Sequence, residues 1–166
     1  MVMESQTLFS AENRVAPLGI ISLAGAQELS KKVEAHLVRW AKLAGLDYDT
    51  FLIESSCPRF SSGDGKGMIN STVRGYDLFF IVDVGNYSLT YNYFGQENRM
   101  SPDDHYQDLK RLIQAASGKA HRMNVVMPLL YGGRQHRRSY RESLDCAYML
   151  QELQHMGVSN LLTFDA

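Results

Sequence analysis

Asp77-Leu78-Phe79-Phe80-Ile81-Val82-Asp83-Val84 sets five consecutive apolar residues, Leu78 to Val82, between two aspartates. A short run of that kind, with no polar residue at alternate positions, reads as a strand buried on both faces. Buried parallel strands are joined by crossovers, usually helices, so helical periods are expected on either side of it. On the carboxyl side, Ser101, Pro102, Asp103 and Asp104 supply a cap, a proline at the first helical position and acids in the first turn. Tyr106, Leu109, Leu112, Ile113 and Ala116 continue that helix to a stop at Gly118. Met123 to Met127 reads as a strand closed by Pro128, Leu144 to Met156 as a helix stopped by Gly157, and Val158 to Phe164 as a last strand. Gly85 to Arg99 is aromatic and polar, with no clear period.

On the amino side, Pro58 to Val73 is rich in Gly and Ser and reads as a loop or irregular hairpin. Tyr48 to Ile53 is a candidate strand. Leu29, Val33, Leu37, Trp40 and Leu43 give residues 26–44 a helical period that Gly45 ends. Leu18 to Ala24 is a short apolar strand, and the polar residues 1–17, ending at Pro17, read as a loosely held leader. Strands alternating with helices predict an α/β fold of three layers, a mostly parallel sheet with helices on both faces. One domain, residues 18–166, is expected. Ligands of such sheets gather beyond the carboxyl ends of the strands. A chain that stops at Asp165-Ala166, directly after an apolar strand, is expected to lack part of its own active site.

Bulk properties exclude several classes. The 166 residues are 45% hydrophobic and 21% charged, enough for one packed core. A formal net charge of -1 argues against a globally basic nucleic-acid binder and leaves any anion site to local clustering. Cys57 and Cys146 are isolated thiols, which points to a reducing compartment rather than a disulfide scaffold. No apolar run reaches the ~18 residues of a membrane span, and the first residues lack the layout of a signal peptide. The expected setting is the cytoplasm.

Charge is densest in Arg134-Gln135-His136-Arg137-Arg138-Ser139-Tyr140-Arg141, which follows a strand, Pro128 and the Gly132-Gly133 pair. Guanidinium forks suit phosphate oxygens and stay charged at any working pH. Past a strand's carboxyl end they would face a polyanion such as a nucleotide triphosphate; a solvated loop paired to surface acids is the alternative. Arg59-Phe60-Ser61-Ser62-Gly63-Asp64-Gly65-Lys66-Gly67 invites a phosphate-loop reading, but Lys66 is followed by Gly67 rather than Ser or Thr, and the alternate glycines do not spell GxGxxG. A hairpin tip is the plain reading. His105 and His121 have no carboxylate or cysteine at ligand spacing, so no built-in metal site is expected. Asp83 reads as a capping or loop-bonding acid.

With both loops in view, the chain resembles ribose-phosphate pyrophosphokinases from about Gly19 onward. Arg59-Phe60-Ser61, then Ser71-Thr72-Val73-Arg74-Gly75, is similar to the family's R-F-S-x-x-E and E-S-V-R-G. Pro128 to Arg138 (PLLYGGRQHRR) is similar to P-Y-x-x-Y-A-R-Q-D-R-R, Arg141-Glu142-Ser143 to the R-E that opens the next helix, and Leu161 to Ala166 to the strand leading into D-L-H-A. The resemblance implies a type I phosphoribosyltransferase-like fold. It also implies an enzyme that transfers diphosphate from Mg-ATP to ribose 5-phosphate, releasing AMP. By position it nominates Phe60, Ser62 and Asp64, on a loop that in the family often arrives from a neighbouring subunit of a homo-oligomer, and Arg134, Gln135, Arg137 and Arg138, for the nucleotide. It places the Mg2+-binding His beyond the chain end and the ribose 5-phosphate loop in a carboxyl-terminal domain, so these residues alone are expected to be inactive. The chain departs from the pattern at Ser62, Asp64, His136 and Ser139, where the family favours other residues, mostly acids, and residues 85–101 are longer than the family's connection. Those departures suit a second expectation, a non-catalytic homologue that regulates or assembles with active synthetases.

Overall fold

The computed structural model describes residue 9 and residues 14–165; most of the expected leader lies outside them. Four parallel strands, β1 (Leu18–Ser22), β4 (Asp77–Ile81), β7 (Arg122–Val126) and β8 (Val158–Leu162), form one sheet in the order β1-β4-β7-β8. The DLFFI run lies in its interior, as its composition requires. Helix α1 (Gln27–Leu43) follows β1, α2 (Pro102–Ala116) precedes β7, and α3 (Asp145–His155) precedes β8. The α2 start is a full capping box: Ser101 Oγ accepts from Asp104 N–H while the Asp104 carboxylate accepts from Ser101 N–H at 2.9 Å.

Two apolar layers hold the sheet. Ile20 and Ile81 pack with Ala41, Leu29, Val33 and Leu37 of α1 on one face. Leu78, Phe80, Met123 and Val125 pack with Leu109, Leu112 and Ile113 of α2 and with Met149 and Leu153 of α3 on the other. The three-layer expectation therefore holds. Within α1 the buried stripe ends on Ala41, whereas Trp40 and Leu43 are 37% and 40% exposed.

The expected strand at Tyr48 to Ile53 is reduced to one residue, Leu52, bridged in parallel to Ile20 on the outer side of β1. The Glu34 carboxylate accepts from the N–H groups of Phe51 and Leu52 at 3.1 and 3.2 Å. At Phe51 that side chain takes a donor that a longer ladder would have used. Even so, the bridge defines the topology. From β1 the chain moves outward to Leu52, then jumps back across β1 to β4 and continues inward. Right-handed crossovers running in opposite directions place their helices on opposite faces, as found here. The reversal between β1 and β4 is a topological switch point.

Two small hairpins sit outside the sheet. β2 (Ser55–Ser56) pairs with β3 (Met68–Ile69), and the arm between them narrows through an Arg59–Gly65 bridge. A Cβ on Gly65 would stand 2.5 Å from Arg111 Nη1, and one on Gly67 would stand 2.6 Å from the Arg111 backbone. Gly65 and Gly67 thus form the face on which this arm lies flat against α2. The other hairpin, β5 (Thr90–Tyr93) with β6 (Gln96–Arg99), occupies the segment that shows no period in the sequence. No described helix is long and apolar enough to cross a membrane.

Candidate functional site

Beyond the sheet, the segments leaving β7 and β8 run side by side. Leu129 bridges Asp165 in parallel, Leu130 N–H donates to Asp165 O at 3.0 Å, and Pro128 O accepts from Phe164 and Asp165 N–H. Tyr131 then locks the loop: its ring stacks on Tyr106 at 4.5 Å and its hydroxyl donates to Asp103 at 2.7 Å. Burial, reinforced by the Asp103 carboxylate, pushes the Tyr131 phenol up to about 12, so it stays a donor at neutral pH. Gly132 has a φ of 68°, and a Cβ there would crowd the Asp145 and Cys146 backbone at 3.2 Å. Only glycine lets the chain turn this close to the start of α3. The turn Gly133–Gln135 follows and presents Arg134.

Arg134 lines a cavity of about 620 Å³ at the carboxyl ends of β4 and β7, together with Gly85, Leu130, Asp103, Asp145 and Asp165. Of the nominated arginine-loop residues, it is the one that reaches this cavity. Gln135 is half-buried outside its lining, and Arg137 and Arg138 are exposed. Among the described residues, none of these three arginines forms an ion pair. Sequence reading missed Asp103 and Asp145 as lining residues, because they come from two separate helices, α2 and α3, that no linear pattern joins. The lining carries one arginine and three aspartates, of which Asp103 is taken by the Tyr131 hydroxyl, and among the described residues no group of three or more His, Cys, Asp or Glu side chains is arranged to hold a metal ion.

Phe60, Ser62 and Asp64 stand elsewhere, at the tip of the β2–β3 arm. Phe60 is 58% exposed. The tip closes by Phe60 N–H to Asp64 O at 2.7 Å, and Ser62 Oγ donates to the Asp64 carboxylate at 2.8 Å. The Arg134 cavity contains none of these three residues. Within one chain, then, the two nominated sets are not brought together. Asp83 bonds its own loop, its carboxylate accepting from Gly85 N–H at 3.0 Å.

The base of the arm holds a denser charge knot than anything the sequence signals. Asp108 of α2 accepts from Arg59 at 2.8 and 3.0 Å and from Arg111 at 2.7 Å. Cys57 donates to Asp108 O at 3.7 Å. Burial first, and the Asp108 charge second, push the Cys57 thiol up to about 12. The folded chain holds this proton more tightly than the unfolded chain, so the thiol's contribution to stability is complete below about 9 and lost as pH rises toward about 12. Native Cys57 is expected to alkylate with iodoacetamide at pH 8 far more slowly than in urea, read by peptide mass mapping. Equal rates would mean that the arm does not shield it.

A family model described as the N-terminal domain of ribose phosphate pyrophosphokinase matches residues 18–157. Among solved structures, the chain is similar to phosphoribosylpyrophosphate synthetase from Mycobacterium smegmatis, with a TM-score of 0.65 and 16% identity. The match covers 89% of this chain and 42% of that one, so these residues span less than half the length of that synthetase. At such identity the likeness speaks for the fold. No curated protein sequence matches.

Proposed function

Since the chain belongs to the family of N-terminal domains of ribose phosphate pyrophosphokinase, we propose that it is the nucleotide-binding half of an enzyme that moves diphosphate from Mg-ATP to ribose 5-phosphate. The transfer is assigned to a protein that includes the rest of the relative's length, and these 166 residues alone are inactive. The observation that carries the reading is the Arg134 cavity, a mixed-charge recess at the carboxyl ends of two inner strands. Arg134 would grip phosphate oxygens through its fork, and Tyr131, fixed by Asp103 and Tyr106, would hold the loop in register. Asp145 and Asp165 suit the outer water shell of Mg2+, which keeps several waters and takes few protein ligands beside phosphates. That ion, when bound, supplies neutralisation of the charge on the transferred phosphates. Phe60, Ser62 and Asp64 would complete the pocket of a second copy in a homo-oligomer, the exposed Phe60 ring covering the base.

Calorimetric titration of Mg-ATP is the direct test. Arg134→Ala is expected to weaken binding by about tenfold or more, the worth of a hydrogen bond to a charged group. Arg137→Ala and Arg138→Ala should do less, since neither lines the cavity. Equal affinity of wild type and Arg134→Ala, or no binding by either, rejects the site.

One further reading, which the departures at Ser62 and Asp64 suit, is a non-catalytic partner of active synthetases; the Ser62 hydroxyl occupies only one acceptor position of the Asp64 carboxylate. Labelled-diphosphate transfer by the longer protein decides between the two. Product formation removes the non-catalytic reading.

A further inference from the structure

We propose that the cleft at the β1–β4 switch point is a second ligand site, for an uncharged, ring-bearing molecule of nucleobase or nucleoside size. The cleft has a volume of about 390 Å³. That lies in the range of small-molecule sites, and doubly wound sheets place such sites where the strand order reverses. Its floor is the turn leaving β1, Ser22 to Ala24; one wall is Ser55 to Arg59 and another is His105, Asp108 and Leu112 of α2. Its roof is the β5–β6 hairpin, through Leu89, Thr90, Tyr91 and Met100.

The hairpin is pinned at both ends rather than packed down into the space beneath it. At its base Asn86 Nδ2 donates to Gly25 O at 2.9 Å, and His105 Nε2 bonds Asn86 O at 2.8 Å. At its tip Phe94 N–H donates to Ser61 O at 2.9 Å, and the Arg59 guanidinium lies 5.2 Å over the Tyr91 ring. Protein interiors otherwise close to near-crystalline density, so a roof held off its floor leaves room that packing alone does not call for.

Charge decides the ligand class. The Arg59 guanidinium is committed to Asp108 and Asp104, and the Asp108 carboxylate is shared between Arg59 and Arg111. His105 Nε2 is taken by the Asn86 carbonyl. An anion finds no spare cation in these walls, and a cation finds no spare carboxylate. Among the described residues, Ser55, Ser56 and Gln27 have side chains with no protein hydrogen-bond partner, and they stand beside Leu23, Leu89, Met100 and Leu112. Flat apolar faces with a hydrogen-bonding edge match that lining, which is the description of a neutral heterocycle.

The site does not depend on the polyphosphate reading, and the test separates the two. The 166-residue chain, labelled with 13C at its methionine methyls, would be titrated by NMR with adenine, adenosine and uridine. At least one is expected to shift the Met100 methyl saturably while the fully buried Met127 stays put. Leu89→Trp, which fills the cleft from its roof, should weaken that binding about tenfold or more, and Arg134→Ala should leave it intact. No saturable Met100 shift with any of the three overturns the proposal. So does a shift that survives unchanged in a Leu89→Trp chain whose spectrum is otherwise native, or one lost in a natively folded Arg134→Ala chain.

Discussion

Asp108→Ala is expected to cost about 3–5 kcal/mol in urea unfolding at neutral pH, with the slope unchanged. The Asp108 side chain is 8% exposed and is the shared acceptor of Arg59 and Arg111, whose side chains are 9% and 19% exposed. Burial raises the Asp108 carboxyl above its usual range, and the Arg59 and then the Arg111 guanidinium offset only part of that rise. Truncation removes the counter-charge but not the cations. Arg59 would keep only Asp104, at 3.8 Å, and the two guanidiniums would face each other across a desolvated gap. Removing one partner of a buried pair costs more than the pair contributes, because the remaining charge stays uncompensated. The isosteric change Asp108→Asn would show nearly the same loss, since it restores shape and not charge. The arm carrying Phe60 should loosen at the same time, seen as faster proteolysis within residues 58–67. A loss below about 1 kcal/mol would mean that both arginines swing out to water, as exposed pairs do, and that the knot does not hold the arm.

That knot is invisible in the sequence for a physical reason. Arg59 and Asp108 are 49 residues apart, and nothing local marks either as paired. Features set by neighbours in the chain are legible. The Ser101-Pro102-Asp103-Asp104 start forms the helix it announces, and the five apolar residues from Leu78 to Val82 lie buried or half-buried in or directly after β4. The β5–β6 hairpin escapes because its turn breaks the usual code. Tyr93 pairs with Gln96, so Phe94 and Gly95 are the two-residue loop, with φ of 47° and 84°. A turn with two left-handed residues ordinarily announces itself as Asn-Gly or Asp-Gly. Here Phe94 takes the first place, and the Asn signal has moved back to Asn92, whose side chain accepts from Gly95 N–H at 2.8 Å. The arginine loop is half legible. Its composition and its place after a strand point to Arg134, but the acids around it come from α2, α3 and the segment after β8, which no linear pattern joins.

The largest loss to be expected from an apolar truncation is at Phe80. Its ring is fully buried, and its backbone is paired on both sides, opposite Ile21 of β1 and Val125 of β7. It stands in the layer shared with α2 and α3, against the elements that carry Leu109, Leu112 and Leu153. Phe80→Ala is therefore expected to destabilise by about 3–5 kcal/mol, or roughly 6–20 °C in melting temperature for a chain of this size. Ile81→Val, one residue on and facing α1, removes one methylene and should cost about 0.5–1.5 kcal/mol. The contrast tests the architecture, since neighbouring residues of one strand serve different layers. If the two losses were equal, the layer between the sheet and the α2–α3 pair would have to repack around the missing ring. The same strand also feeds the Arg134 cavity through Val84 and Gly85. A ligand that binds the folded cavity raises the midpoint by mass action. Mg-ATP should thus recover part of the Phe80→Ala loss in the chain that keeps Arg134, and about 1.4 kcal/mol less of it, for a tenfold weaker affinity at saturating ligand, in the Phe80→Ala, Arg134→Ala double variant.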